Sequence, residues 1–107
     1  MVKETSHKLL SIAVDNNSLA EFCRRNGILK LSFFGSILRE DFGPYSDVDV
    51  LVEFEAGKVF GFDILDMEEE LSHLLGGRKV DLVNEKYLNH RLRPVILREA
   101  LVQYAQG

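Results

Sequence analysis

Apolar and polar positions change period several times along this chain, and each change predicts an element. Ile28 to Phe34 is an apolar and aromatic run broken only by Lys30 and Ser32, and it reads as a first strand that Gly35 ends. A brief helical turn over Ile37, Leu38 and Arg39 is expected next, then a loop from Asp41 to Ser46 with the Gly43-Pro44 turn signal. From Asp47 to Phe54 the pattern alternates, with Val48, Val50 and Val52 on one side and Asp47 and Asp49 on the other, which predicts a second strand. Phe60, Ile64, Met67, Leu71, Leu74 and Leu75 then recur at helical spacing, with Glu68, Glu69 and Glu70 taken as the solvated side, until Gly76-Gly77 stops the helix. Arg78 to Val83 predicts a third strand.

Three further helices complete the expected order. A short one falls over residues 5–15, with Leu9, Leu10, Ile12 and Ala13 apolar. The next opens at a capping box, Ser18 and Glu21, and closes near Asn26-Gly27. A last helix is expected from Arg91 or Pro94 to Tyr104, with proline in its first turn. This order predicts an α/β (α+β) fold: a small mixed β-sheet with helices packed on one face and the aspartates on the other. A single domain over 1–107, with its core about 19–104, is expected, since a chain of 107 residues makes one compact unit with a modest core.

The chemistry is concentrated around the second strand. Asp47 and Asp49, at i and i+2, project from one face, and adjacent carboxylates repel unless a cation lies between them. Hard divalent ions such as Mg²⁺ take oxygen ligands. A third carboxylate, Asp81, stands in Lys79-Val80-Asp81-Leu82-Val83. If the second and third strands are neighbours, three aspartates share one face. The plainer alternative is that Asp47 ends a turn and Asp49 is merely solvated. Gly35-Ser36 sits where a strand hands over to a helical turn, a place where a backbone without Cβ can approach a phosphate; a simple tight turn is the other reading. Arg39 either reaches that phosphate or pairs with Glu40 or Asp41. Ser46 either orients Asp47 or caps the turn.

Composition narrows the options. With 46% hydrophobic and 28% charged residues the chain is globular, and its net charge of −4 argues against nucleic acid as a direct substrate. Cys23, the one cysteine, cannot form an internal disulfide and reads as a buried thiol. His7, His73 and His90 lack zinc-like spacing. No apolar run approaches the ~20 residues of a membrane span, and Met1 to His7 lacks a signal-peptide core, so no membrane association and a cytoplasmic location are expected.

Taken together, Phe33-Phe34-Gly35-Ser36, Arg39, Ser46-Asp47-Val48-Asp49-Val50-Leu51-Val52, Lys79-Val80-Asp81-Leu82-Val83 and Ile96-Leu97-Arg98-Glu99-Ala100 resemble the nucleotidyltransferase superfamily of polymerase beta. The resemblance is to its smallest branch, the minimal nucleotidyltransferases, which are the antitoxins of HEPN-domain toxins, and it spans roughly Leu19 to Tyr104. It implies a polymerase beta-like fold and a Mg²⁺-dependent enzyme, with Asp47, Asp49 and Asp81 as catalytic metal ligands, Asp47 and Asp49 bridging two ions. It also implies nucleotide binding by Gly35, Ser36, Arg39 and Ser46. ATP would be the donor, and AMP would pass to a hydroxyl, a tyrosine, of a HEPN ribonuclease toxin held in a hetero-oligomer. Phe42, Tyr45, Phe60 and Phe62 are apolar candidates for the partner surface, with Arg91 and Arg93 as a polar rim. Two other functions compete with this one: a non-catalytic antitoxin acting by occlusion, and a free-standing transferase of small molecules.

Overall fold

A computed structural model describes residues 14–38, 43, 46–57 and 63–106. The helix expected over 5–15 lies outside them except for Val14 and Asp15, which are not helical. Helix α1, Asn16–Arg25, begins one turn earlier than the Ser18 capping box suggests. Asp15 is its N-cap: one carboxylate oxygen accepts from the Asn17 amide at 3.0 Å, and the other accepts from the Ser18 hydroxyl at 3.0 Å. The Ser18 hydroxyl, followed by the Asn17 and Ser18 amides, holds the Asp15 carboxyl below its usual pKa. Leu19, Phe22 and Cys23 face inward. Gly27, at φ +68°, turns the chain out of the helix, as expected at Asn26-Gly27.

Strand β1, Ile28–Phe34, has the predicted bounds. A 3₁₀ turn over Gly35–Leu38 follows, then β2, Val48–Phe54. Helix α2, Asp63–Leu74, leads to β3, Val80–Asn84. Strands β1 and β2 pair antiparallel, whereas β2 and β3 pair parallel, the arrangement that requires an intervening crossover such as α2. Leu31 and Phe33 stand opposite Val52 and Val50, and all four are fully buried. Helices α1 and α2 cover that face with Leu19, Phe22, Met67 and Leu71, joined by Leu75 just after α2.

The end of the chain differs from the expectation. Helix α3 occupies only Arg93–Glu99, and Leu101–Ala105 is a strand, β4, paired antiparallel with β1. Apolar content alone cannot separate the two periods over so short a run. Without β4, the outer edge of β1 would carry unpaired N–H and C=O groups, and Val102 and Tyr104 suit a strand that satisfies them. The mixed sheet therefore has four strands, in the order β3-β2-β1-β4.

The second face of the sheet carries Asp49 and Asp81. Ser32 and Leu51 oppose one another on it and are buried. Since β3 and β4 lie at opposite edges, the connection between them must cross the sheet's width. It enters beside Lys30 of β1, whose ammonium lies 3.9 Å from the Glu85 carboxylate. Arg93 then ties α3 to that point through the Glu85 carbonyl, 2.8 Å, and carboxylate, 3.3 Å.

Candidate active site

Sheet register assembles the acidic row. Asp49 is the direct neighbour of Asp81 across the parallel β2–β3 pair and of Phe34 across the antiparallel β1–β2 pair. Direct neighbours on adjacent strands point to the same face. The sequence expectation that the two strands adjoin is thus met for this pair. Asp47 lies one residue before β2 and is exposed. Its carboxylate is 4.0 Å from the Lys79 ammonium, which offsets part of the negative charge. Lys79 itself is solvated, as expected for an edge charge.

The turn after β1 is shaped around Asp49. Gly35 has φ +77°, a conformation that L side chains rarely adopt. A Cβ built there would lie 2.3 Å from the Asp49 carboxylate oxygen. Gly35 therefore lets the backbone lie against a carboxylate, a nearer reason for glycine than approach to a phosphate. The Ser36 hydroxyl donates to the Asp47 carbonyl at 3.3 Å, joining the turn to the start of β2. Ile37, fully buried, anchors the turn to the core.

Ser46 closes a turn with Gly43: its amide donates to the Gly43 carbonyl and its hydroxyl accepts from the Gly43 amide, both at 3.1 Å. That is the capping alternative of the sequence reading. Arg39, Phe42, Tyr45, Phe60 and Phe62 lie outside the described residues.

Two supports escaped the sequence reading. Arg78, two residues before β3, donates to the Gly43 carbonyl at 2.9 Å, bracing the segment that leads into Asp47. Glu68 of α2 accepts from the Leu82 amide at 2.8 Å, next to Asp81 on the outer edge of β3. No sequence signal marks Arg78. Glu68 does have one, since Ile64, Glu68, Leu71 and Leu75 follow i, i+4, i+7, i+11 spacing, placing it within the apolar stripe.

Comparison with known proteins gives the family. The nucleotidyltransferase domain family matches residues 16–102. This chain belongs to that family. Among curated relatives, this nucleotidyltransferase is 37% identical over 81 residues to the protein adenylyltransferase MntA of Thermococcus cleftensis, covering 76% of this chain and 80% of that one. It is 35% identical over 77 residues to a Methanocaldococcus jannaschii protein assigned the same activity, covering 72% and 81%. A solved structure assigned as a minimal nucleotidyltransferase superposes with TM-score 0.68 at 37% identity, covering 80% of this chain and 86% of that one. An MNT antitoxin solved with a tri-AMPylated HEPN toxin of Shewanella oneidensis shares the fold at TM-score 0.62 and 19% identity, covering 85% and 70%.

The carboxylates of the transferase suit a hard cation. Among the described residues no three His, Cys, Asp or Glu side chains form a ready-made metal cage. Mg²⁺ seldom needs one, because it keeps water and takes further oxygens from substrate phosphates. An all-oxygen set with Asp49 and Asp81 as direct neighbours, and Gly35 yielding room to Asp49, fits that mode of binding. A separate cavity of about 350 Å³ lies at the other end of β2, lined by Glu53, Phe54, Gly57, Asn84, Glu85 and Tyr87. None of the three aspartates borders it. Among the described residues no helix is long and apolar enough to cross a membrane.

Proposed function

We propose that this nucleotidyltransferase passes AMP from ATP to a tyrosine hydroxyl of a HEPN-type ribonuclease toxin in the cytoplasm, and so acts as its antitoxin. The observation that carries the reading is the row Asp49–Asp81 with Gly35 pressed against Asp49. Strands hold both carboxylates, so their separation is set by the sheet ladder rather than by a loop. The activity named for relatives at 35% and 37% identity supports the choice of a protein acceptor.

In this reading Asp47, Asp49 and Asp81 hold Mg²⁺, with two ions expected. Bound there, Mg²⁺ neutralises phosphate charge and stabilises the attacking and leaving oxygens. Gly35 and Ser36 border the triphosphate, and Arg39 is assigned to its charge. The acceptor oxygen forms a bond to the α-phosphorus while the bond from that phosphorus to the oxygen bridging the β-phosphate breaks. Pyrophosphate departs, and the acceptor hydroxyl gives its proton to a carboxylate of the aspartate row. Ser46, by closing the turn with Gly43, fixes the approach to Asp47.

The test is incubation of the purified chain with labelled ATP, Mg²⁺ and the product of the neighbouring gene, which this reading expects to be a HEPN protein. Label on a tyrosine of that protein, lost in Asp49→Asn, is the expected result. A stable complex that never acquires label would replace the transfer reading with occlusion. Label on a small molecule alone would remove the protein acceptor.

A further inference from the structure

Helix α3 has no buried residue, although it lies between two strands of the sheet in chain order. Positions 91, 94, 95 and 98 recur at i, i+3, i+4, i+7 spacing, so they line one stripe, and all four are exposed. The stripe has Pro94 and Val95 at its centre, Leu92 on its flank, and an arginine at each end. Leu92 and Val95 are 56% and 42% exposed, too much for residues that have already found their packing partner. Arg91 and Arg98 make no ion pair among the described residues. Arg93, the other arginine that the sequence suggested for the rim, is engaged with Glu85. Two arginines without an ion pair among the described residues leave a local positive charge on a chain whose net charge is −4.

Position supplies the second argument. Helix α3 starts at the Glu85 anchor and ends just before Leu101, which pairs with Phe33. The next residue of β1, Phe34, is the neighbour of Asp49. Helix α3 therefore runs toward the catalytic end of the sheet. On the same face, Val102 of β4 opposes Ser32 and is 51% exposed.

We infer that the stripe Arg91–Pro94–Val95–Arg98, continued by Leu92 and Val102, is the surface on which the acceptor-bearing protein docks, and that this partner presents an apolar patch edged by carboxylates. The inference rests on the proposed transfer to a protein and assigns the surface that delivers its hydroxyl to Asp49 and Asp81. Charge complementarity sets the partner's sign, and the apolar centre supplies the area to be covered.

The double variant Arg91→Glu/Arg98→Glu and the single variant Val95→Glu change exposed side chains that belong to neither the proposed metal set nor the proposed nucleotide set. With the HEPN protein as acceptor, each should raise the acceptor KM by about tenfold or more while the KM for ATP stays unchanged. The wild-type acceptor KM should also rise with salt. An acceptor KM within about twofold of wild type in both variants overturns the proposal. If wild type binds the acceptor without labelling it, transfer is refuted, and the same comparison is made on Kd: a tenfold loss supports the surface and an unchanged Kd overturns it. No wild-type binding overturns it too. So does a wild-type dimer that the double variant dissolves while acceptor binding is untouched, since the stripe then belongs to a second copy.

Discussion

Replacing Gly35 by alanine adds one methyl group, and the structure separates its two consequences. Alanine at φ +77° pays the left-handed backbone penalty of about 1–2 kcal/mol. For a domain of this size each kcal/mol lowers Tm by about 4–8 °C. The methyl carbon would also lie 2.3 Å from the Asp49 carboxylate oxygen, against an ordinary contact of 3.4–4 Å. The carboxylate must therefore retreat by about 1 Å, a displacement that can cost about 100-fold in rate at a reacting centre. Gly57 provides the control. Its φ is +84°, yet a Cβ there meets nothing within 4 Å.

Gly57→Ala should thus lose comparable stability and keep its activity, whereas Gly35→Ala should lose both. The assays are thermal unfolding, label transfer from ATP to the HEPN acceptor, and a Mg²⁺ titration of the rate. For Gly35→Ala the Mg²⁺ midpoint should rise as well, because a displaced Asp49 holds the cation less well. Equal activity in the two variants would refute the argument: high in both means the methyl does not disturb Asp49, and low in both means backbone strain alone is responsible.

Asp47→Asn, Asp49→Asn and Asp81→Asn should each reduce transfer by about 100-fold or more, with Tm unchanged or raised because like charges are relieved; near-native transfer in any of them would remove that residue from the metal set. Glu68→Ala strands the Leu82 amide and should destabilise by about 1–3 kcal/mol, with faster hydrogen exchange at Leu82, whereas Glu68→Gln retains an acceptor oxygen and should restore most of the loss. Burial pushes the Cys23 thiol from 9.0 up to about 12. Between those values the unfolded chain gives up its proton first, so stability should fall as pH rises above 9, and at pH 8 thiol labelling should proceed no faster than global unfolding.

Local signals account for much of this architecture. The strand Ile28–Phe34, the inward Val48, Val50 and Val52, and the stops at Gly27 and Gly76-Gly77 all follow from residue types whose preferences their neighbours do not contest. Misreadings fall where two local solutions compete or where a distant group decides. Asp15 and Ser18 are both capping residues, and Asp15 prevails because its two oxygens collect both the Asn17 amide and the Ser18 hydroxyl. Strand β4 depends on the unpaired edge of β1, some seventy residues away in the chain, and no window of sequence contains both.

The Glu68-Glu69-Glu70 run shows why a charged triplet on a helix cannot be one solvated face. Successive helical residues are about 100° apart, so three in a row span about 200°, more than half a turn. Glu68 turns toward β3 and takes the Leu82 amide, Glu70 meets Arg25 of α1, and Glu69 alone is left to solvent. The same geometry bears on the active site. Asp49 and Asp81 are spaced by a parallel ladder, whose outer strand would otherwise offer an open N–H at Leu82 beside Asp81. Glu68 closes that edge from the helix that makes the crossover between the two strands. One segment, α2, thus makes the crossover between the strands that carry the carboxylate pair and secures the strand that holds its second member.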